Sequence, residues 1–193
     1  IHSIPCGLMG PKGQWARAPI RRVSDLKGMK IGILGLGRNV LSKLGASVSG
    51  LSGGEIFPAM ERGLIDGFSY SAPLNDIERG LLAPSGYYYY PGWQAPVEML
   101  ELAINFGKWE SLGQSEKQLI EYVCRASIDR SLLDIITNEH IGLEAIRREG
   151  VSIERFPSDV SLALSVASTR ALEDESAKDP DFRKTLKSYN AFR

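Results

Sequence analysis

Apolar runs alternate with glycine- and serine-rich turns through the first third of the chain. The runs "MKIGIL" at 29–34 and "LIDGFSYSAP" at 64–73 predict strands, the second ended by Pro73. Helices are predicted from Arg38 to Leu44 and from about Glu55 to Arg62, each stopped by a glycine. Strands that alternate with helices in this way are typical of an α/β unit with a parallel sheet.

The flanks of this unit are less regular. A short strand is predicted over 1–6, and residues 7–22 are predicted to form a structured loop because Gly and Pro recur there. The run "YYYY" at 87–90 predicts a strand with two tyrosines on each face, packed on both sides. "EMLELAIN" continues as a strand, and "FGKWESLG" is predicted to be a turn.

The second half of the chain has helical periodicity. Apolar residues recur at three- and four-residue steps from Ser115 to about Arg148, which predicts one long helix ended by Gly150. A short strand, "VSIERFP", precedes a helix capped by Ser158, and a last helix begins near Pro180.

Composition excludes several classes of protein. Hydrophobic residues make up 43% of the 193 residues, enough for a packed core. Lys and Arg balance Asp and Glu at 23 each, which argues against a nucleic-acid partner. No run of eighteen apolar residues predicts a membrane span. Cys6 and Cys124 could form a bridge, but nothing in their spacing indicates it.

The stretch "KIGILGLGRNVLSKLG" at 30–45 invites comparison with a dinucleotide-binding motif. Gly35 and Gly37 supply the first two glycines, but the third position is Val40, where helix and strand need a glycine to pack closely. Glu55 has the spacing of the ribose-binding acid but follows "SGG" at a helix start. No catalytic or metal-ligating pattern includes His2 or His140. An NAD-dependent oxidoreductase therefore stands as the alternative, and the expectation is a protein that is not an enzyme.

Four phrases in order carry a more specific signal: "LKGMKIGILGLGRNVLSKLGA", "LSGGEIFPAMERGLIDGFSYSAPLND", "YYYYPGWQAPVEMLELAIN" and "DPDFRKTLKSYNAFR". Together they resemble the solute-binding subunits of tripartite ATP-independent periplasmic (TRAP) transporters, the DctP-type receptors, nearest the branch that binds α-keto acids. The resemblance implies an α/β, two-lobe fold similar to type II periplasmic binding proteins, here lacking most of the N-terminal lobe.

By this resemblance, residues 1–67 belong to lobe II, 68–107 cross into lobe I and return, 108–160 complete lobe II, and 161–193 are C-terminal helices. It also implies a periplasmic receptor that passes a small organic solute, expected to be acidic, to membrane permease subunits. Some relatives form dimers, so the resemblance allows a homodimer. A diverged remnant that binds without transporting is a further alternative.

The chain departs from the family pattern where ligands bind. Gly32 stands where relatives carry an arginine for the ligand carboxylate, so only backbone is left there. Ser69 and Ala95 replace two carboxylates of the cation site in the keto-acid branch, and Lys12 aligns with its glutamine. Hard cations need oxygen ligands, so no metal and no other cofactor is expected. Lys12 is instead expected to supply the positive charge next to the solute.

The remaining expected ligand-binding residues share positions at strand ends or in the loop that faces the cleft in relatives. Arg38 would add a basic group at a helix start, where free N–H groups favour anions. Tyr70 and Trp93 would form aromatic walls of the cleft. Gln14, Asn75 and Asn105 would offer polar side chains, and Gly32 its backbone.

Overall fold

The computed structural model describes residues 1–81, 86–94 and 96–192. Ala95, which by the resemblance replaces a carboxylate of the family's cation site, lies outside the described residues. The strands are β1 His2–Met9, β2 Gln14–Ala16, β3 Lys30–Gly32, β4 Ser47–Ser49, β5 Gly67–Phe68, β6 Tyr87–Tyr89, β7 Glu98–Ile104 and β8 Ser152–Glu154. The helices are α1 Gly37–Lys43, α2 Gly53–Glu61, α3 Pro73–Glu78, α4 Phe106–Glu110, α5 Gln114–Arg148, α6 Ser158–Lys178 and α7 Pro180–Phe192, with a 3₁₀ turn at Val23–Leu26.

Six strands form the larger sheet, in the order β4-β3-β5-β2-β6-β8. Strand β3 runs parallel to both β4 and β5, and β6 runs parallel to β8, whereas β2 is antiparallel to its two neighbours. Because β3 and β5 are parallel neighbours, the segments that follow them leave the sheet at the same edge. The predicted α/β unit with a parallel sheet is present over these strands.

Helices cover both faces of this sheet. Apolar side chains of α1 and α6 pack on one face around Ile31 and Tyr89. Those of α2 and the end of α5 pack on the other around Trp15 and Phe68. The tyrosine run is packed on both sides, as predicted: Tyr88 and Tyr90 belong to the second core, and Tyr87 and Tyr89 to the first.

A second, two-stranded sheet pairs β1 with β7 antiparallel along almost their whole length. Strand β1 packs along α5 from Cys124 to Ser131, and the small core at this end contains Ile4, Trp109 of α4 and Cys124. A disulfide between Cys6 and Cys124 joins β1 to α5. Sequence spacing did not indicate this bridge, because it depends on the packing of two elements that are 118 residues apart.

Three local predictions were wrong. The loop predicted over 7–22 contains the end of β1 and all of β2, whose three residues are fully buried. Pro73 does not merely end a strand; it occupies the first turn of α3, where its missing N–H costs nothing. The turn predicted at "FGKWESLG" contains α4, capped by Asn105.

No helix in the described part of the chain has the length and apolar character that crossing a membrane requires. The expected division into lobe segments with boundaries at 67, 107 and 160 stays a prediction. The structure adds that β6 lies in the same sheet as β2 and β5, and that β7 leaves this sheet to pair with β1.

Candidate functional site

A cavity of about 340 Å³ opens at the edge of the larger sheet where β3 and β5 end. Four segments form its wall: the connection between β1 and β2, the loop after β3, the segment after β5, and the stretch that enters β7. Its lining residues are Lys12, Ile33, Leu34, Gly35, Leu36, Gly37, Ser69, Tyr70, Gln94 and Glu98.

Hydrogen bonds at the sheet edge fix two of these segments. Ser69 N donates to the Gly32 carbonyl (3.1 Å), and Ile33 N donates to the Ser49 carbonyl (3.0 Å). Gly35 has a φ of +63°, a left-handed conformation that glycine adopts at no steric cost, and this turns the chain into α1. Leu34 and Leu36 remain exposed at 55% and 39%. The loop therefore presents backbone and apolar side chains to the cavity.

The charged part of the wall is an ion pair. Lys12 Nζ lies 2.9 Å from Glu98 Oε1, and the two side chains are 24% and 31% exposed. Both partners belong to segments next to the two-stranded sheet, since Lys12 follows β1 and Glu98 begins β7. The Lys12 carbonyl also accepts a hydrogen bond from Gly92 N (2.7 Å), which holds this segment in place.

A neutral polar relay lies beside the ion pair. Gln94 Nε2 donates to Ser69 Oγ (2.7 Å), and Ser69 Oγ donates to the carbonyl of Gly13 (2.8 Å). Ser69 is buried, so its hydroxyl is committed to these two partners. The relay links the segment after β5 to the segment before β7 across the cavity wall.

Tyr70 supplies an aromatic wall of the cavity. The Arg79 guanidinium lies 5.7 Å from its ring centroid, within cation–π distance. The phenol oxygen approaches the start of α2 so closely that a Cβ at Gly53 would be 2.6 Å from it. The ring is therefore held between α2 and the end of α3.

Behind this wall lies a buried carboxyl group. Asp76, on α3, accepts from Trp15 Nε1 (2.8 Å) and from Ser71 N (3.0 Å). Burial raises the pKa of Asp76 to about 7, although both hydrogen bonds and the nearby Lys12 act to lower it. The carboxyl group ties the segment that carries Ser69 and Tyr70 to strand β2.

The expected site residues fall into two groups. Lys12 and Tyr70 line the cavity. Gly32 lies one residue beneath it, inside β3, and a Cβ there would meet Ile65 Cδ1 at 3.3 Å. Arg38 is exposed, and its guanidinium lies towards Gly50, beyond the end of β4.

The other four expected residues, like Gly32 and Arg38, do not line the cavity. Gln14 is buried in β2, where its Nε2 donates to the Trp15 carbonyl (3.3 Å). Asn75 donates to Ser71 Oγ (3.2 Å) and faces a separate cavity between β1, α3 and α5. Asn105 caps α4 by accepting from Lys108 N (3.2 Å). Trp93 lines a surface groove with Phe156 but borders the cavity at Gly37.

Gln94 and Glu98 were missed as site residues. Glu98 begins the strand "EMLELAI", in which polar and apolar residues do not alternate regularly, and Gln94 follows the residues Pro-Gly-Trp. Neither has a local sequence signal, because their place in the wall depends on the pairing of β7 with β1.

The chain is similar in sequence to proteins of one bacterial family. A family model described as "DctP: Bacterial extracellular solute-binding protein, family 7" matches residues 13–178. A monocarboxylate 2-oxoacid-binding periplasmic protein of Nostoc sp. is 32% identical over 197 residues, which cover all of this chain and 53% of that protein.

Two solved structures are similar over 98% of the chain. A TRAP transporter solute-binding protein from Bordetella bronchiseptica, described as a mixed-occupancy dimer with copurified calcium and picolinate in its active site, has 30% identity and a TM-score of 0.92. One from Pseudoalteromonas atlantica, with bound sodium and pyruvate, has 32% identity and a TM-score of 0.88. The chain covers 57% and 58% of these proteins, so it spans a little over half of their length. The predicted fold class is confirmed by these similarities.

The cavity of this chain does not fit the cations that those two structures contain. Among the described lining residues the single carboxylate is Glu98, and the ammonium of Lys12 already occupies it. The Ser69 hydroxyl is engaged by two partners. No group of three His, Cys, Asp or Glu residues that could hold a metal occurs in the described ranges. Calcium and sodium require several oxygen ligands, so the wall offers them too few.

Proposed function

Since the chain belongs to the DctP family of bacterial extracellular solute-binding proteins, family 7, we propose that it is part of a receptor of a TRAP transporter. The receptor binds a small organic acid in the cavity at the ends of β3 and β5. It then presents the solute to membrane permease subunits. The family is one of solute-binding proteins rather than enzymes, which disfavours the NAD-dependent oxidoreductase.

One observation carries the proposal. The cavity opens at the carboxyl ends of parallel strands, where open α/β sheets bind their ligands, and it holds a partly exposed ammonium group. The Lys12 ammonium supplies the positive charge that a carboxylate requires, in place of the arginine that Gly32 does not provide. The solutes of the relatives support this choice, since a 2-oxoacid, pyruvate and picolinate are all small carboxylates.

Location and assembly follow from the same relatives. The Nostoc protein is periplasmic, and we propose the same compartment for this receptor. The Cys6–Cys124 disulfide supports it, because disulfides persist in the oxidising periplasm. The dimer of the Bordetella protein supports the homodimer that the resemblance allows.

The test is identification of the natural solute. The full-length gene product would be purified under native conditions and analysed by native mass spectrometry, and any solute released on denaturation would then be identified. We expect a stoichiometric small organic acid. A released nucleotide would support the oxidoreductase instead. A protein that carries no solute, and that no small molecule of a broad library stabilises in a thermal-shift assay, would indicate a non-transporting remnant.

A further inference from the structure

The cavity wall is electrically balanced. Of its described lining residues, Lys12 and Glu98 carry charge, one of each sign, and the others are apolar or neutral. A wall of this kind differs from one built for an anion, which would carry an excess of positive charge.

Binding of a monoanion to this wall would cost the Lys12–Glu98 ion pair. Its carboxylate could approach Lys12 only by separating it from Glu98, and would then leave the Glu98 carboxylate unpaired and close to a like charge. A neutral solute would leave the ion pair intact and gain hydrogen bonds alone. A solute with both charges can open the pair and satisfy each side chain with its opposite.

We propose that the solute is a small zwitterion, of the amino acid class, whose carboxylate binds Lys12 and whose ammonium group binds Glu98. This inference rests on the proposed receptor function and specifies the substrate class of the same cavity. The partial exposure of both side chains keeps them accessible to such a solute, and Tyr70 with the Leu34 and Leu36 side chains provides an apolar surface for its carbon skeleton.

The first experiment compares matched solutes by isothermal titration calorimetry on the full-length gene product. The probes are L-alanine, pyruvate and lactamide, with L-leucine and 4-methyl-2-oxopentanoate as a larger pair, each with and without calcium. We expect an amino acid to bind at least about tenfold more tightly than its 2-oxoacid partner and than lactamide, because desolvated charges without partners reduce affinity. Calcium is expected to leave this order unchanged.

The second experiment changes one charge. Glu98→Gln removes the anion and keeps the side-chain shape, so we expect amino acid affinity to fall and 2-oxoacid affinity to rise, each by about tenfold or more. Glu101→Gln is the matched control, because Glu101 lies on the same strand, is exposed, and accepts from Ser3 Oγ outside the cavity. The control is expected to keep the wild-type order of affinities.

The outcomes of these experiments distinguish the zwitterion inference from the proposed receptor function. Tighter binding of a 2-oxoacid than of its amino acid partner, or binding of lactamide as tight as that of alanine, would overturn the zwitterion inference and leave the receptor function standing. An unchanged solute order in Glu98→Gln would also overturn it. If none of the five probes binds a folded protein, the zwitterion inference is overturned. The receptor function is contradicted as well only when the purified protein carries no solute and no member of the broad thermal-shift library stabilises it.

Discussion

The two sheets of this protein are stabilised in different ways. The larger sheet has helices on both faces and two cores, with side chains such as Trp15, Tyr88 and Phe68 fully buried. The two-stranded sheet shares a small core of Ile4, Trp109 and Cys124 with α4 and α5, and a disulfide links it to α5. Apolar side chains of β7 such as Met99 and Leu100 stay exposed. The first region carries its own core, whereas the second depends on a covalent link.

The candidate cavity lies between these regions and takes a different contribution from each. The larger sheet supplies the loop after β3 and the segment of Ser69 and Tyr70. The region of the smaller sheet supplies both charges, Lys12 and Glu98. Solute affinity should therefore depend on how firmly the smaller sheet is held, although most of the packing lies elsewhere.

Among the changes considered, removal of the disulfide should alter the difference in stability between the two sheets the most. The double variant Cys6→Ser/Cys124→Ser opens a loop with a sequence separation of 118. A loop of that length corresponds to a loss of about 4–5 kcal/mol in the chain-entropy model. In hydrogen exchange, amides of β1 and the start of α5 should lose protection more than those of β2, β3 and β5. Equal loss in both regions would show that the two sheets unfold as one unit.

The buried carboxyl group of Asp76 tests the larger sheet by pH. Its pKa is raised to about 7 by burial, so the folded protein retains a proton that the unfolded chain releases near pH 4. Stability should therefore fall as the pH rises from about 4 to about 7, by about 4 kcal/mol from this group, and then level off.

Asp76→Asn should remove that contribution, whatever its own cost in lost hydrogen bonds. Urea unfolding of both proteins across this pH range measures the difference in slope. Parallel pH profiles for the wild type and Asp76→Asn would contradict the assigned environment of this carboxyl group.

A smaller effect is expected where α5 crosses α3. A Cβ at Gly142 would lie 2.4 Å from Leu74 N, so Gly142→Ala should destabilise the protein by about 1–3 kcal/mol through overpacking. In an open helix the same change stabilises by roughly 0.5–1 kcal/mol. Gly54, in α2, is the matched control, because a Cβ added there would meet no atom within 4 Å. Thermal unfolding should give opposite signs for Gly142→Ala and Gly54→Ala, and equal signs would refute the close contact.

Sequence reasoning located regular elements better than contacts between them. The periodicity of α5 predicted this helix almost to its ends, because it presents repeated apolar positions over many turns. Some short elements were not predicted. Strand β2 has only three residues, and α3 begins at a proline, a residue that can equally well end a strand. Local pattern carries little information over so few residues.

The site was predictable only in part, for a related reason. Lys12 lies in the loop predicted over 7–22 and Tyr70 in the strand predicted over 64–73; the family resemblance named both residues, and both line the cavity. Asn75 and Asn105 stand near element ends, but their side chains bond to Ser71 and Lys108 instead. Glu98 enters the wall through the register of β7 with β1, a pairing between segments almost 100 residues apart that no local pattern encodes.

The most direct test of the central claim, that the two regions meet at a solute site, is calorimetry of Lys12→Ala with the solute released from the full-length gene product. We expect affinity to fall by about 30-fold, or about 2 kcal/mol, because the variant leaves a charge of the solute unpaired. Lys43→Ala is the control, because Lys43 on α1 pairs with Asp174 on α6, outside the cavity lining. This variant should bind the solute as tightly as the wild type does. Affinity in Lys12→Ala equal to that of the control would remove Lys12 from the site and contradict the account.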